Sequence, residues 1–139
     1  MKTHRTLAAA AVAVIALGAC SSGQNQAKPP QAAGTAPENV ASAMAAGGYG
    51  CSDVQSYADA SLEVPRFASD GAKCDATKGA LWIVTFDDNQ ARDHFTHTFA
   101  VGQSSGIVYA SGDGWVVEAG SKAALKPAAD ALGVGVHSA

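Results

Sequence analysis

The 139-residue sequence predicts an α+β domain, a two-layer sandwich in which helices pack on one face of an antiparallel sheet of four or five strands. Three patterns lead to this prediction. Residues 81–86 form an apolar run rich in β-branched and aromatic side chains, residues 107–119 have the pattern of a β-hairpin, and three helical stretches follow capping residues. We expect the domain to occupy residues 37–137.

The first predicted helix follows a capping box, in which a short polar side chain and a Glu three residues later satisfy free backbone amides. Thr35 and Glu38 have this spacing, and Pro37 stands where the first helical turn tolerates it. Gly47 is expected to end the helix.

Asp87 and Gln90 have the same spacing and predict a second helix that ends at Gly102. Its apolar stripe consists of Ala91, Phe95, Thr98 and Phe99. A third helix is expected from a Ser121 cap to Leu132, where Gly133 stops it. Pro127 lies inside it and predicts either a kink or a regular helix that starts there.

The strands are expected at residues 51–57, 72–76, 81–86, 107–111 and 115–119. Alternation along the central strand places Trp82, Val84 and Phe86 on one face and Leu81, Ile83 and Thr85 on the other. Trp82 and Trp115 are interpreted as core residues of neighbouring strands, with a ligand platform as the alternative.

Residues 58–71 have no clear period, and Pro65 argues against a central strand. We interpret them as an irregular segment that packs back on the domain through Leu62, Val64 and Phe67. An exposed binding loop is the alternative.

The chain begins with Lys2 and Arg5, followed by an uninterrupted apolar run at residues 7–17 that is too short to span a bilayer. This is the pattern of a secretion signal, expected at residues 1–19. The run closes in Leu17-Gly18-Ala19-Cys20, which resembles the lipobox of bacterial lipoproteins. The resemblance implies cleavage before Cys20 and a diacylglycerol on its thiol, the one lipid group expected, with no other cofactor.

Residues 20–36 are rich in Ser, Gly, Gln, Ala and Pro and predict a disordered linker behind this anchor. Two acyl chains hold a protein stably on a membrane. We therefore expect the domain to stand on the extracytoplasmic side of the cytoplasmic membrane, close to its surface.

The chain carries nine basic and twelve acidic residues, and loss of Lys2 and Arg5 with the signal leaves seven against twelve. This charge argues against nucleic acid as a partner. Cys20 is used by the lipid, so in the oxidising space outside the membrane Cys51 and Cys74 are expected to form a disulfide. A redox-active pair is less favoured because no Cys-x-x-Cys is present.

The tract 50–132 is similar to a group of small actinobacterial lipoproteins of unknown role. The similarity lies in Gly50-Cys51, a second Cys before a strand that ends in Thr-Phe-Asp, an aromatic-bearing helix, the hairpin Gly-Asp-Gly-Trp-Val-Val, and a last helix that closes in Leu-Gly. These motifs are structural. The resemblance supports the disulfide and the fold and supplies no activity.

Asp93, His94 and His97 form the one cluster that suggests a metal. Imidazoles at positions i and i+3 of a helix can share a Zn²⁺ or Cu²⁺ ion, although a firm site needs more ligands. A solvated helix face is the preferred interpretation. Likewise, helix capping explains residues 87–89 better than a calcium loop does.

The sequence contains no Gly-x-Ser-x-Gly, no phosphate-binding Gly-rich loop and no paired carboxylates, so we predict that the protein is not an enzyme. The leading hypothesis is a tethered binding or interaction module, with an envelope protein as a possible partner. Its interaction face would be the sheet side away from the helices, with Leu81, Ile83, Ile107 and Tyr109. The alternatives are a metal-binding lipoprotein and a lipoprotein similar to those by which phages exclude a second infection.

Overall fold

The computed structural model describes residues 34–98 and 106–138. The predicted signal at 1–19, Cys20 with its lipid, and most of the linker at 20–36 lie outside the described residues. The Gly34 amide donates a hydrogen bond to the Phe86 carbonyl at 2.8 Å, so contacts with the domain begin before residue 37. Within the described ranges, every helix is too short or too polar to cross a bilayer.

The described chain forms three helices and six strands. In order they are α1 (Pro37–Ala46), β1 (Asp53–Ser56), β2 (Asp70–Ala76), β3 (Gly79–Thr85), α2 (Asn89–Thr98), β4 (Val108–Gly112), β5 (Trp115–Ala119), α3 (Lys122–Leu132) and β6 (His137–Ser138). The strands make one open sheet in the order β1-β2-β3-β5-β4-β6, with every neighbouring pair antiparallel. The α+β prediction is confirmed, but the sheet has six strands rather than four or five, because β6 is too short to show a strand pattern.

Helices α1 and α3 cover one side of the sheet, which we call the first face. Register pairs Ile83 with Val117 and Leu81 with Ala119, and all four side chains are buried there. The helices contribute small and branched residues to the same cluster: Val40, Ala41, Ala43, Met44, Ala124, Leu125, Ala128, Ala129 and Leu132. This cluster is the main hydrophobic core.

The end of α1 lies almost against the backbone of α3. A methyl group at Gly47 would stand 2.2 Å from the Ala131 carbonyl oxygen, well inside van der Waals contact. Glycine is therefore required at this position by close packing, and it also ends α1 as predicted.

Helix α2 does not join the layer on the first face. Its Phe95 packs against Phe86 with ring centroids 5.1 Å apart, in a cluster with Val84 and Val116 on the opposite side of the sheet, the second face. The prediction that the helices share one face is therefore wrong for α2. The apolar stripe of a helix does not say which side of a sheet it covers.

Polar contacts with the β4–β5 hairpin fix the position of α2. The Asn89 side chain donates to the Asp113 carboxylate and accepts from the Gly114 amide at 2.9 Å. The Arg92 guanidinium donates to the Gly112 carbonyl at 2.5 Å. These three contacts hold the first turn of the helix against the hairpin turn.

The predicted caps of the first two helices are wrong in detail. Ala36 is the N-cap of α1 and makes no side-chain cap, so the Thr35 capping box does not form. The carboxylate of Asp88, rather than that of Asp87, accepts the Ala91 amide at the start of α2. The predicted end of that helix at Gly102 lies outside the described residues.

The cap of α3 is confirmed. The Ser121 hydroxyl accepts the Ala124 amide at 3.2 Å, and Gly133 ends the helix in the left-handed conformation. Pro127 lies within α3, which begins at Lys122, so a regular helix that starts at Pro127 is ruled out.

The Cys51–Cys74 disulfide is confirmed, with Cα atoms 5.4 Å apart. Cys74 is fully buried in the main core, and Cys51 packs against it. The bond joins the connection after α1 to β2 and so links the helical layer to the sheet.

Candidate functional site

The second face of the sheet carries a transverse row of polar and aromatic side chains. Antiparallel register aligns Lys73 with Trp82, Trp82 with Glu118, Glu118 with Tyr109, and Tyr109 with His137. Paired residues in antiparallel strands project to the same side. The row therefore crosses five strands on the face that α1 and α3 leave uncovered.

A cavity of about 320 Å³ opens in the middle of this row. Its described lining consists of Tyr57, Trp82, Ile107, Glu118, Ala119 and Gly120. The volume lies within the range of protein sites for small molecules, and the lining follows their usual composition, mostly apolar with few polar groups.

Tyr57 directly follows β1, and its contacts with Gly71 of β2 place it at the cavity. Its amide donates to the Gly71 carbonyl at 2.9 Å, and its ring lies directly over Gly71. A methyl group at Gly71 would come within 2.7 Å of the ring, so only glycine leaves room for this tyrosine. The ring is 5 % exposed and forms one wall of the second-face cluster.

Glu118 is the acidic group of the cavity. Burial raises the pKa of its carboxyl from 4.5 to about 7, because the low dielectric disfavours the charged form. Its Oε1 atom is buried, and no described residue donates a hydrogen bond to it. Burial, and after it the charge of Glu118, also raises the pKa of the Tyr57 hydroxyl.

The basic groups nearest along the row have other partners. Lys73 forms an ion pair with Asp75 at 3.0 Å, and the imidazole of His137 stacks on Tyr109 at 5.2 Å between ring centroids. Among the described residues that line the cavity, none is basic. The site is thus an apolar hollow with one carboxyl group and no opposing positive charge from its described lining.

The predicted interaction face is partly wrong. Leu81 and Ile83 are fully buried under α1 and α3, because the helices cover the face opposite to the one we expected. Ile107 lines the cavity, and half-buried Tyr109 packs at the edge of the second-face cluster. The four residues therefore do not form one surface.

The two tryptophans have different environments. Trp115 is fully buried in the main core, as the core interpretation predicted. Trp82 is only half-buried and lines the cavity, which fits the alternative of a ligand platform.

The predicted metal residues lie together on α2 but do not converge. Asp93, His94 and His97 line a shallow, open hollow with Gln90. Asp93 forms an ion pair with Arg92 at 2.6 Å, and His94 stacks on Phe67 at 5.7 Å. Within the described ranges, no group of three His, Cys, Asp or Glu side chains is placed to hold a metal ion.

The segment predicted to be irregular at 58–71 is irregular at 58–69, and β2 begins at Asp70. The prediction that its apolar residues pack back on the domain is wrong for Leu62, Val64 and Phe67, which are 40 to 45 % exposed. Phe67 has a φ of 73°, an uncommon value for a side chain of this size. The guanidinium of Arg66 lies 5.0 Å from the centre of its ring. The contacts with Arg66 and with His94 hold the Phe67 ring on the surface beside α2.

Tyr57 and Glu118 were missed by the sequence analysis. The one signal for Glu118 is its place as the single charge in the apolar strand Trp-Val-Val-Glu-Ala. Comparison with known proteins adds no relative: no protein-family model, curated protein or solved structure matches the chain.

Proposed function

We propose that the protein is a membrane-anchored, extracytoplasmic lipoprotein whose domain is a non-enzymatic binding module, with the Glu118 cavity as its binding site. The observation that carries the proposal is the buried Oε1 atom of Glu118, which has no hydrogen-bond donor among the described residues and borders an apolar cavity. A buried acceptor without a partner is costly, and such a group in a native fold calls for an explanation. We infer that a bound molecule donates a hydrogen bond to Oε1 of Glu118.

The lining favours binding over catalysis. Glu118 and Tyr57 are its described titratable groups, and burial disfavours the charged form of both. General acid–base catalysis of a difficult step needs a second group positioned to activate a nucleophile or stabilise developing charge. One carboxyl and one phenol among apolar walls meet the requirements of a binding site more readily than those of a catalytic site.

The anchor is tested by mass spectrometry of the intact chain purified from the producing cells, for the wild type and for Cys20→Ala. The proposal expects a wild-type chain that begins at Cys20 and carries the added mass of a diacylglycerol, and a variant without that mass. Ser21→Ala is the matched control, since it alters the neighbouring residue and leaves the thiol. A wild-type chain with no added mass at Cys20 would overturn lipid anchoring at this residue.

Binding in the cavity is tested by mass spectrometry of small molecules released from the full chain, purified in detergent from its own cells. Ile107→Trp should fill the cavity, whereas Val64→Trp adds the same side chain at an exposed site elsewhere. We expect a compound in the wild-type and Val64→Trp extracts that is missing from the Ile107→Trp extract. Three identical extracts, with all variants folded by circular dichroism, would reject the cavity as the binding site.

A further inference from the structure

We propose that the ligand of the Glu118 cavity is a small organic cation, an amine or ammonium group on an apolar body, held between the Glu118 carboxylate and the aromatic side chains of Tyr57 and Trp82. This inference rests on the proposed function and adds to it the chemical class of the ligand. It is drawn from three properties of the site: its unpaired acceptor, its aromatic lining residues and the absence of a basic residue from the lining that the structure describes.

The unpaired acceptor requires a donor from outside the described protein. Oε1 of Glu118 is buried, and neither the Tyr57 hydroxyl nor the Trp82 indole N–H, the two side-chain donors of the described lining, forms a hydrogen bond with it. A hydrogen bond from a charged donor to a carboxylate is shorter and about twice as strong as one between neutral groups. A protonated amine therefore satisfies this atom better than a hydroxyl or an amide does.

The walls of the cavity suit a positive charge as well as an apolar body. Tyr57 and Trp82 both contribute aromatic rings to the lining. The face of an aromatic ring attracts a cation, and Trp is the best of the three aromatic residues at this. Ile107 supplies an apolar side chain for contact with a hydrocarbon body.

The charges around Glu118 leave its carboxylate without a described counter-ion. On the neighbouring elements, Lys73 of β2 pairs with Asp75, Tyr109 of β4 is the register partner of Glu118, and His137 of β6 stacks on Tyr109. Tyr57 is a weak acid rather than a base. The whole chain has a formal net charge of −3, which also favours the approach of cations over anions.

The test uses three probes that share one phenylethyl-type skeleton: phenethylamine, 2-phenylethanol and phenylacetate, titrated at pH 8 into the full chain in non-ionic detergent. Ile107→Trp, with its cavity filled, measures binding to the micelle. We expect phenethylamine to bind about tenfold or more tightly than 2-phenylethanol, because the amine makes a charged hydrogen bond, and phenylacetate to bind most weakly.

Glu118→Gln keeps the shape of the side chain and removes its charge. We expect this variant to bind phenethylamine within about twofold of 2-phenylethanol, since the ionic attraction between ammonium and carboxylate is lost, and to bind the alcohol no more tightly than the wild type does. If the wild type binds the alcohol as tightly as the amine, and Ile107→Trp binds neither, the cation inference fails while the binding module stands. If none of the three probes binds the wild type above the Ile107→Trp level, the inference fails together with the cavity as a site for molecules of this size.

Discussion

On the first face of the sheet, α1 and α3 contribute small and branched side chains to the core cluster, and Tyr49, whose buried hydroxyl has no described partner, packs against it. On the second face, five buried residues at one end of the sheet form a smaller cluster, and the row containing Trp82 and Glu118 stays partly open. The first face has the composition of a structural core. The second combines a cavity, a buried acid and aromatic side chains, which are the features of a site. We therefore propose that recognition belongs to the side of the sheet opposite the structural core.

The difference between the faces has a local cause. Two helices with Ala-rich surfaces can approach the sheet closely, and Gly47 permits direct contact between α1 and α3. On the other side, α2 is held at the hairpin end by Asn89 and Arg92. It therefore covers Phe86 and leaves the middle of the second face to Tyr57 and to the row that contains Trp82 and Glu118.

The largest loss of stability is expected from a cavity created on the first face. Leu125 is fully buried between α3 and the sheet, so Leu125→Ala should lower the free energy of unfolding by about 2 to 5 kcal/mol. Leu62→Ala, at a side chain that is 40 % exposed, should cost about 0.5 kcal/mol or less. Urea denaturation of both variants checks this. Similar losses at the two sites would contradict the assignment of the structural core to the first face.

The disulfide should contribute less than the upper end of the loss expected for Leu125→Ala. The bridge joins residues 23 apart in sequence. A closed loop of that size is expected to stabilise by about 3 kcal/mol, mainly by restricting the unfolded chain. The double variant Cys51→Ser with Cys74→Ser should lose this amount in urea denaturation.

Reduction of the wild type with dithiothreitol gives an independent measure of the same bond. It should lower the urea midpoint of the wild type and leave that of the double variant unchanged. A wild type that is equally stable with and without reductant would show that the helical layer needs no covalent link to β2.

The elements that build the first face were largely predictable from sequence, but the side of β3 that they cover was not, and the second face was not predictable either. The run at 81–86 has the alternation of a buried strand, and Ser121 with Gly133 brackets α3, so local chemistry determines these elements. The side of the sheet that α2 covers depends on Asn89 and Arg92 meeting the hairpin turn, a contact between distant parts of the sequence. No periodicity in α2 itself carries that information.

The candidate site could not be predicted from sequence for a similar reason. A single Glu in a strand is normally solvent-facing, and the burial of Glu118 arises from its neighbours Trp82 and Tyr57 on other strands and loops. Tyr57 is in place because Gly71, fourteen residues later, leaves room for its ring. Such contacts are set by register, which sequence alone did not provide.

The smallest predicted effect is a pH dependence of stability that arises from Glu118 on the second face. The pKa of Glu118 is raised to about 7 in the folded protein, so between pH 4.5 and 7 the folded state binds more protons than the unfolded state. Stability from this group is therefore present at low pH and is lost as the pH rises through 7. Each pKa unit corresponds to about 1.4 kcal/mol; allowing for the partial exposure of Glu118, we expect a loss of about 2 kcal/mol between pH 4.5 and 8.

Glu118→Gln cannot ionise and should escape this loss. Its free energy of unfolding, measured by urea denaturation at pH 4.5, 6, 7 and 8, should exceed that of the wild type increasingly as the pH rises, because the wild type must carry a buried negative charge above pH 7. Glu63→Gln, at an exposed glutamate, is the matched control and should follow the wild-type profile. If the Glu118→Gln profile runs parallel to the wild-type profile, the carboxyl is solvated in the folded state. The second face would then lack the buried acid that distinguishes it from the first.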